Sequence, residues 1–164
     1  NNFKQVFSPQ TAYQITSLLE GVVKRGTGKK LRDLNLNLAG KTGTTNENTD
    51  TWFIGFTSNL VIGVYIGYDE PKSLGKYETG SKVALPVFKK FVETALYKED
   101  FKPFKAPSNI YFYPVNYDTG QISNFVDTKS IIESFKEKGS ENIKFKNLNF
   151  GQNHGKSLKF KGFY

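Results

Sequence analysis

Two β-rich runs separated by two residues constrain this chain more than any other feature. Thr51 to Thr57 and Leu60 to Tyr68 are dense in Val, Ile, Phe, Tyr and Thr, and only Ser58-Asn59 lies between them. Runs joined so tightly pair antiparallel, because a parallel return needs a long crossover. Ahead of them, residues 36–45 read as a further strand, with Asn46 to Asp50 as the polar turn between. Together they predict an antiparallel meander. Gly55, Gly63 and Gly67 fall inside its strands, where a missing side chain predicts close packing of a helix or another backbone.

Helical signals flank the meander. Ser8 is a good N-cap and Pro9 suits the first helical turn. Ala12, Ile15, Leu18, Leu19, Val22 and Val23 follow at helical spacing, Lys24 and Arg25 suit the C-terminal end, and Gly26 stops the helix. Asp69 to Gly80 reads as a polar loop. A second helix is expected from Ser81 or Lys82, with Val83, Val87, Phe88, Phe91, Val92, Ala95 and Leu96 as its apolar stripe. Pro86 is tolerated there only near the first turn. The fold class is therefore α+β, an antiparallel sheet with packed helices.

Composition changes near Asp100. Phe101 to Pro107 reads as a non-helical linker, Ile110 to Val126 as a small hairpin around Asp118-Thr119-Gly120, and residues 127–138 as a short helix. Weak order is expected from Gly139 onward. The chain thus divides into residues 1–99, which carry the meander and both helices, and residues 100–164, a linker and basic tail.

Several chemistries are excluded. No cysteine is present, so disulfides, Cys metal sites and a Cys nucleophile are absent, and no cofactor is expected. The single histidine, His154, lies in a polar Gly/Asn/Lys stretch unsuited to a Ser-His-Asp triad. No apolar run of roughly 18 residues appears. The net charge is +8, but the lysines are scattered and Phe, Lys and Asn are all abundant. An anionic membrane face or wall polymer accounts for the charge as well as nucleic acid does, and no nucleic-acid partner is expected.

The candidate site is Lys41-Thr42-Gly43-Thr44-Thr45, at the end of the first predicted strand. An edge strand can bind an extended peptide by backbone pairing and can offer an N–H to an oxyanion. Gly43 lets substrate come close. Lys41 supplies a positive charge, and Thr42 and Thr44 can hydrogen-bond a carboxylate. The competing interpretation is an ordinary strand end with a polar turn.

Lys-Thr-Gly is also one of the motifs of penicillin-interacting serine enzymes, and here the resemblance runs far beyond three residues. Residues 6–97 resemble the C-terminal half of the transpeptidase domain of class A (bifunctional) penicillin-binding proteins. The landmarks are Val6 to Gln14, Leu19 to Val23, Arg25-Gly26-Thr27-Gly28, Leu38 to Asn46, Trp52 to Thr57, Val64 to Asp69, Glu78 to Ala84 and Pro86-Val87-Phe88. Asp118-Thr119-Gly120 and Ile131 to Phe135 resemble the family's tail.

The resemblance implies a D,D-transpeptidase that crosslinks peptidoglycan stem peptides through an acyl-serine intermediate and is acylated by β-lactam antibiotics. It implies that Lys41 and the Thr44 N–H are catalytic, the latter as half of an oxyanion hole. Lys41, Thr42, Gly43, Thr44 and Thr45 would bind substrate. The nucleophile Ser-x-x-Lys and the Ser-x-Asn are expected upstream, in the N-terminal part of the same domain. The chain therefore reads as a piece of an enzyme that is inactive alone. Family members also carry an upstream membrane anchor and glycosyltransferase domain, which places the protein on the outer face of the bacterial cytoplasmic membrane.

Ser73-Leu74-Gly75-Lys76 and Ser140-Glu141-Asn142 match those motifs by letter, but in the wrong order and, for Ser73, in a loop. Gly155-Lys156-Ser157 does not have phosphate-loop spacing. The rivals are a serine β-lactamase-like hydrolase and a non-catalytic basic module for wall polymer.

Overall fold

The computed structural model describes residues 4–123 and 126–136. Its elements run α1 (Pro9–Lys24), β1 (Ala39–Thr44), β2 (Asp50–Phe56), β3 (Val61–Gly67), α2 (Ala84–Ala95), β4 (Ile110–Asn116) and β5 (Ser130–Lys136), with short 3-10 turns between. The predicted meander is present as a three-stranded antiparallel sheet in the order β1-β2-β3. Thr57 closes its hairpin: the Thr57 hydroxyl accepts from the N–H groups of Asn59 and Leu60. That local bond is why Thr-Ser-Asn makes a turn here.

The first helix starts and stops as its residues dictate. The Ser8 hydroxyl accepts from Thr11 N–H, satisfying one of the helix's orphan donors. At the other end Gly26 N–H returns to the carbonyls of Gly21 and Val22. The second helix begins at Ala84, later than Ser81 or Lys82. Thr79–Val83 instead close turns of their own, with Lys82 and Val83 both donating to the Thr79 carbonyl. Pro86 then falls in the first turn of α2, where its missing N–H breaks no helical bond.

The core lies on one face of β2. Phe53 is fully buried, whereas its neighbours Trp52 and Ile54 are 42% and 47% exposed on the other face, together with Val61 and Tyr65. Phe53 packs edge-on against Phe88 of α2 at 4.7 Å between ring centroids. Val23, Leu31, Leu38, Ala84, Leu85, Val92 and Phe101 complete the cluster. The glycine expectation holds at Gly55, where a Cβ would lie 2.5 Å from the Phe88 ring. It fails at Gly63, where a Cβ would meet nothing within 4 Å, and at Gly67, whose crowding comes from the Tyr65 and Asp50 side chains.

Two expectations beyond Asp100 are corrected. Phe101 is buried in the core, its carbonyl held by the Asn37 side chain at 2.8 Å, and Phe104 packs edge-on against Phe56, so the start of the expected linker is packed against the sheet. Residues 130–136 form strand β5, where a helix over 127–138 is expected, and pair antiparallel with β4 from Ile110↔Lys136 to Asn116↔Ser130. Ile131-Ile132 are adjacent and β-branched, which favours a strand once a partner exists. Asp118-Thr119-Gly120 turns the chain as expected, and among the described residues the small hairpin around it is held by the bridge Val115↔Ile122, by Asn116 N–H to the Gln121 carbonyl and by Ser123 N–H to the Pro114 carbonyl, both at 2.8 Å.

The β4-β5 pair docks on α1. Gln14 donates to the Ser134 carbonyl at 2.9 Å, Arg25 pairs with Glu133 at 2.8 Å, and Lys136 hydrogen-bonds Thr11. Tyr13 meets Phe112 edge-on. Among the described residues no helix is long and apolar enough to cross a membrane. His154, Ser140-Glu141-Asn142, Gly155-Lys156-Ser157 and the weak order expected from Gly139 lie outside the described residues.

Gly55→Ala should destabilise this chain by about 1–3 kcal/mol, because the added methyl competes with the Phe88 ring. Gly63→Ala should change stability by less than about 0.5 kcal/mol. Urea unfolding of the two variants side by side checks the difference.

Candidate active site

Strand β1 is an edge of the sheet, and its ladder determines which backbone groups face outward. Thr45 N–H donates to the Asp50 carbonyl at 3.1 Å. In an antiparallel ladder facing pairs alternate between bonded and unbonded, so Gly43↔Trp52 and Lys41↔Ile54 are the bonded pairs. The N–H and C=O of Thr42 and Thr44 therefore point to the open edge. Lys41 corroborates this, since its ammonium donates to the Thr42 carbonyl at 2.8 Å.

Side chains converge on the same edge. By strand alternation Thr42 and Thr44 share one face and Lys41 starts on the other. The Lys41 side chain curls round the edge, and its Nζ lies 3.3 Å from the Thr42 hydroxyl. Thr42 also shares a 2.8 Å hydrogen bond with the Thr27 hydroxyl. Among the described residues Lys41 makes no ion pair. One ammonium, two hydroxyls and an open N–H row thus lie together, a donor-rich strip suited to an extended, anionic peptide end.

The end of the strip is braced by groups that residue patterns did not single out. Thr44 Oγ1 accepts the N–H of Gly80 at 3.0 Å. Thr45 Oγ1 bonds Thr49 Oγ1 at 2.7 Å and accepts from Asp50 N–H at 2.8 Å, so it fastens the turn. The Asp50 carboxylate accepts from Tyr65 at 2.8 Å and from Thr49 at 3.1 Å. Asn48, at a left-handed φ of 55°, donates to the carbonyls of Gly75 and Lys76 and ties the 69–80 loop to this turn. Thr27 and Gly80 are visible in the sequence only within longer family landmarks, and Asp50 and Asn48 only as turn residues.

Ser73 lies in that loop, as its sequence implies. Its hydroxyl donates to the Glu47 carbonyl at 2.7 Å, while Lys76 sits over the Tyr77 ring. Among the described residues no three His, Cys, Asp or Glu side chains converge where a metal could sit.

Comparison with known proteins bears on this site directly. The family described as "Penicillin binding protein transpeptidase domain" matches residues 1–93. The chain belongs to that family. It is 46% identical over 135 residues to Penicillin-binding protein 1A of Rickettsia bellii, covering 82% of this chain and 17% of that protein. It is 36% identical over 136 residues to Penicillin-binding protein 1A of Pseudomonas aeruginosa, covering 82% and 16%. The crystal structure of Penicillin-Binding Protein 1A from Haemophilus influenzae superposes with a TM-score of 0.69 at 29% identity, over 80% of this chain and 21% of that one. The chain spans about a sixth of the length of the curated relatives it matches. These matches are longer than the 1–93 segment, so the likeness continues past the domain into the region of the β4-β5 pair.

The hydrogen bond that Tyr65 donates to Asp50 holds its phenol above the ordinary value of 10.0. A raised folded-state pKa contributes stability below the ordinary phenol range and loses it as pH rises through the folded value. In an absorbance titration, Tyr65→Phe should remove one phenol titrating later than a free tyrosine. Asp50→Asn should move that titration back down.

Proposed function

We propose that this chain forms the Lys-Thr-Gly wall of a peptidoglycan D,D-transpeptidase. The nucleophilic serine would be supplied by sequence outside these 164 residues. The observation that carries the reading is the open edge of β1, with the N–H groups of Thr42 and Thr44 turned toward it and the Lys41 ammonium curled onto the Thr42 carbonyl.

A stem peptide ending in D-Ala-D-Ala would lie extended along this edge, pairing with the backbone of Thr44. Its terminal carboxylate would meet the hydroxyls of Thr42 and Thr44 within reach of Lys41. The serine oxygen attacks the penultimate D-alanine carbonyl carbon, and its proton passes to a neighbouring base. The carbonyl oxygen takes up negative charge, which the Thr44 N–H stabilises as a fixed donor. Collapse breaks the peptide bond and releases the terminal D-alanine, whose nitrogen takes a proton. The acyl-serine ester is then attacked by the amine of a neighbouring stem, which makes the crosslink and regenerates the serine. Gly43 keeps the strand bare where the peptide approaches, and Thr45 fixes the turn behind it.

A β-lactam carries the same carbonyl and carboxylate relationship and would acylate the same serine. The partners in this reading are stem peptides, β-lactams and the upstream part of the same domain, at the outer face of the cytoplasmic membrane. In this reading residues 1–99 are the transpeptidase part, and no described residue beyond 100 joins the site. A serine β-lactamase-like hydrolase differs only in letting water take the place of the acceptor amine.

Mass spectrometry after incubation with excess benzylpenicillin tests the proposal. The isolated chain should show no adduct, and the complete gene product that carries it should gain one acyl group. Lys41→Ala in that product should slow acylation by about a hundredfold or more, the scale expected for removing an electrostatic stabiliser. Acylation of the isolated chain would place a nucleophile within these residues and overturn the assignment.

A further inference from the structure

We propose that Gly80 is a positioning residue of the transpeptidase site, committing the Thr44 hydroxyl to act as a hydrogen-bond donor toward the ligand's carboxylate. The inference rests on the function proposed above and adds to it a residue 36 positions away from the threonine it controls.

The geometry leaves Gly80 no alternative. It is buried, and a Cβ built there would lie 2.5 Å from the Trp52 carbonyl oxygen and 2.6 Å from that of Gly43. Both atoms belong to the backbone of the β1-β2 ladder at the Gly43↔Trp52 pair. Neither can move aside as a flexible side chain would. The Gly80 backbone therefore lies directly on the motif strand, at a distance that only a residue without a side chain allows.

From there its N–H reaches Thr44 Oγ1 at 3.0 Å. A backbone N–H can only donate, so the Thr44 oxygen must accept. A hydroxyl has one proton and two lone pairs. With one lone pair engaged by Gly80, the rotation of the O–H is restricted, and its proton is directed to a different partner. Thr44 is exposed at the open edge, so that partner is whatever occupies the strip. A donor oriented before the ligand arrives costs no reorganisation when charge has to be held.

Gly80 is itself held from both sides. Its carbonyl accepts from Leu85 N–H at 2.8 Å in the first turn of α2, and Asn48 anchors the preceding loop through Gly75 and Lys76. The clamp thus joins the core helix to the catalytic strand.

The consequence is selectivity for a free carboxylate over its ester, which is a poorer acceptor. In the complete gene product, acylation rates for benzylpenicillin and for its methyl ester are measured by mass spectrometry. Gly80→Ala should slow the acid by about tenfold or more, the range of a charge-assisted hydrogen bond, and slow the ester far less. Thr44→Val should do the same, and the double variant should lose nothing further, since the two residues act as one unit. Thr44→Ser, which keeps the oxygen, should retain the preference.

Equal slowing of acid and ester by Gly80→Ala would mean a merely structural role, and additive losses would mean independent roles. Either result overturns the inference. Should Gly80→Ala not fold, Asn48→Ala loosens the same loop without touching the sheet. It should lower the acid preference in the same direction, and an unchanged preference would overturn the inference. A wild-type protein that is not acylated by either compound refutes the function, and the clamp's role with it. A wild type that is acylated, with Gly80→Ala unchanged, refutes the clamp alone.

Discussion

The ring of Phe88 rests against Phe53 over the bare backbone of Gly55, and this contact links the core to the site. Burying two phenylalanines completely is worth about 1.5–3 kcal/mol each, the largest local contributions to the core. Its structural effect is as important as its energy. The contact fixes α2 beneath β2 and β3, and α2 in turn fixes the turn at residues 79–83 that precedes it. Gly80 in that turn sits on β1 beside Thr44. The position of a surface hydroxyl therefore depends on an aromatic contact in the interior, through a helix start and one glycine.

Much of the fold was legible because its signals are local. The N-cap at Ser8, the stop at Gly26 and the two-residue turn at Ser58-Asn59 each act within a few residues, and each is found where the pattern places it. Strand β5 was not legible for the opposite reason. Ile131, Ile132 and Phe135 fit a helical face as well as a strand, and what decides between them lies elsewhere in the chain. Val115 and Tyr111 supply the pairing edge, and Gln14 of α1 binds the Ser134 carbonyl from 120 residues away.

The same division runs through the site. Lys41 to Thr45 stand out as a motif because they are contiguous. Thr27, Asp50, Asn48 and Gly80 acquire their roles only when folding brings separate segments to the end of β1. Thr27 stands in the sequence only as one letter of the Arg25-Gly26-Thr27-Gly28 landmark, and folding brings its hydroxyl 2.8 Å from that of Thr42. Gly80 looks like loop punctuation until the atoms a Cβ would strike are named. The positive charge, by contrast, does not concentrate at the site. Several basic residues are engaged in surface pairs, such as Arg25 with Glu133 and Lys89 with Asp33, which add little stability individually.

The curl of Lys41 onto the Thr42 carbonyl has a meaning for solubility as well as for chemistry. A strand edge open enough to receive a peptide is equally open to the edge of another molecule, and unguarded edges nucleate aggregation. Natural sheets often blunt such edges with a lysine. Here the ammonium occupies one of the outward carbonyls, so a second strand would have to displace a charge before it could begin to pair. In the proposed function Lys41 prepares the edge for a ligand, and the same contact keeps that edge from sticking to its own kind.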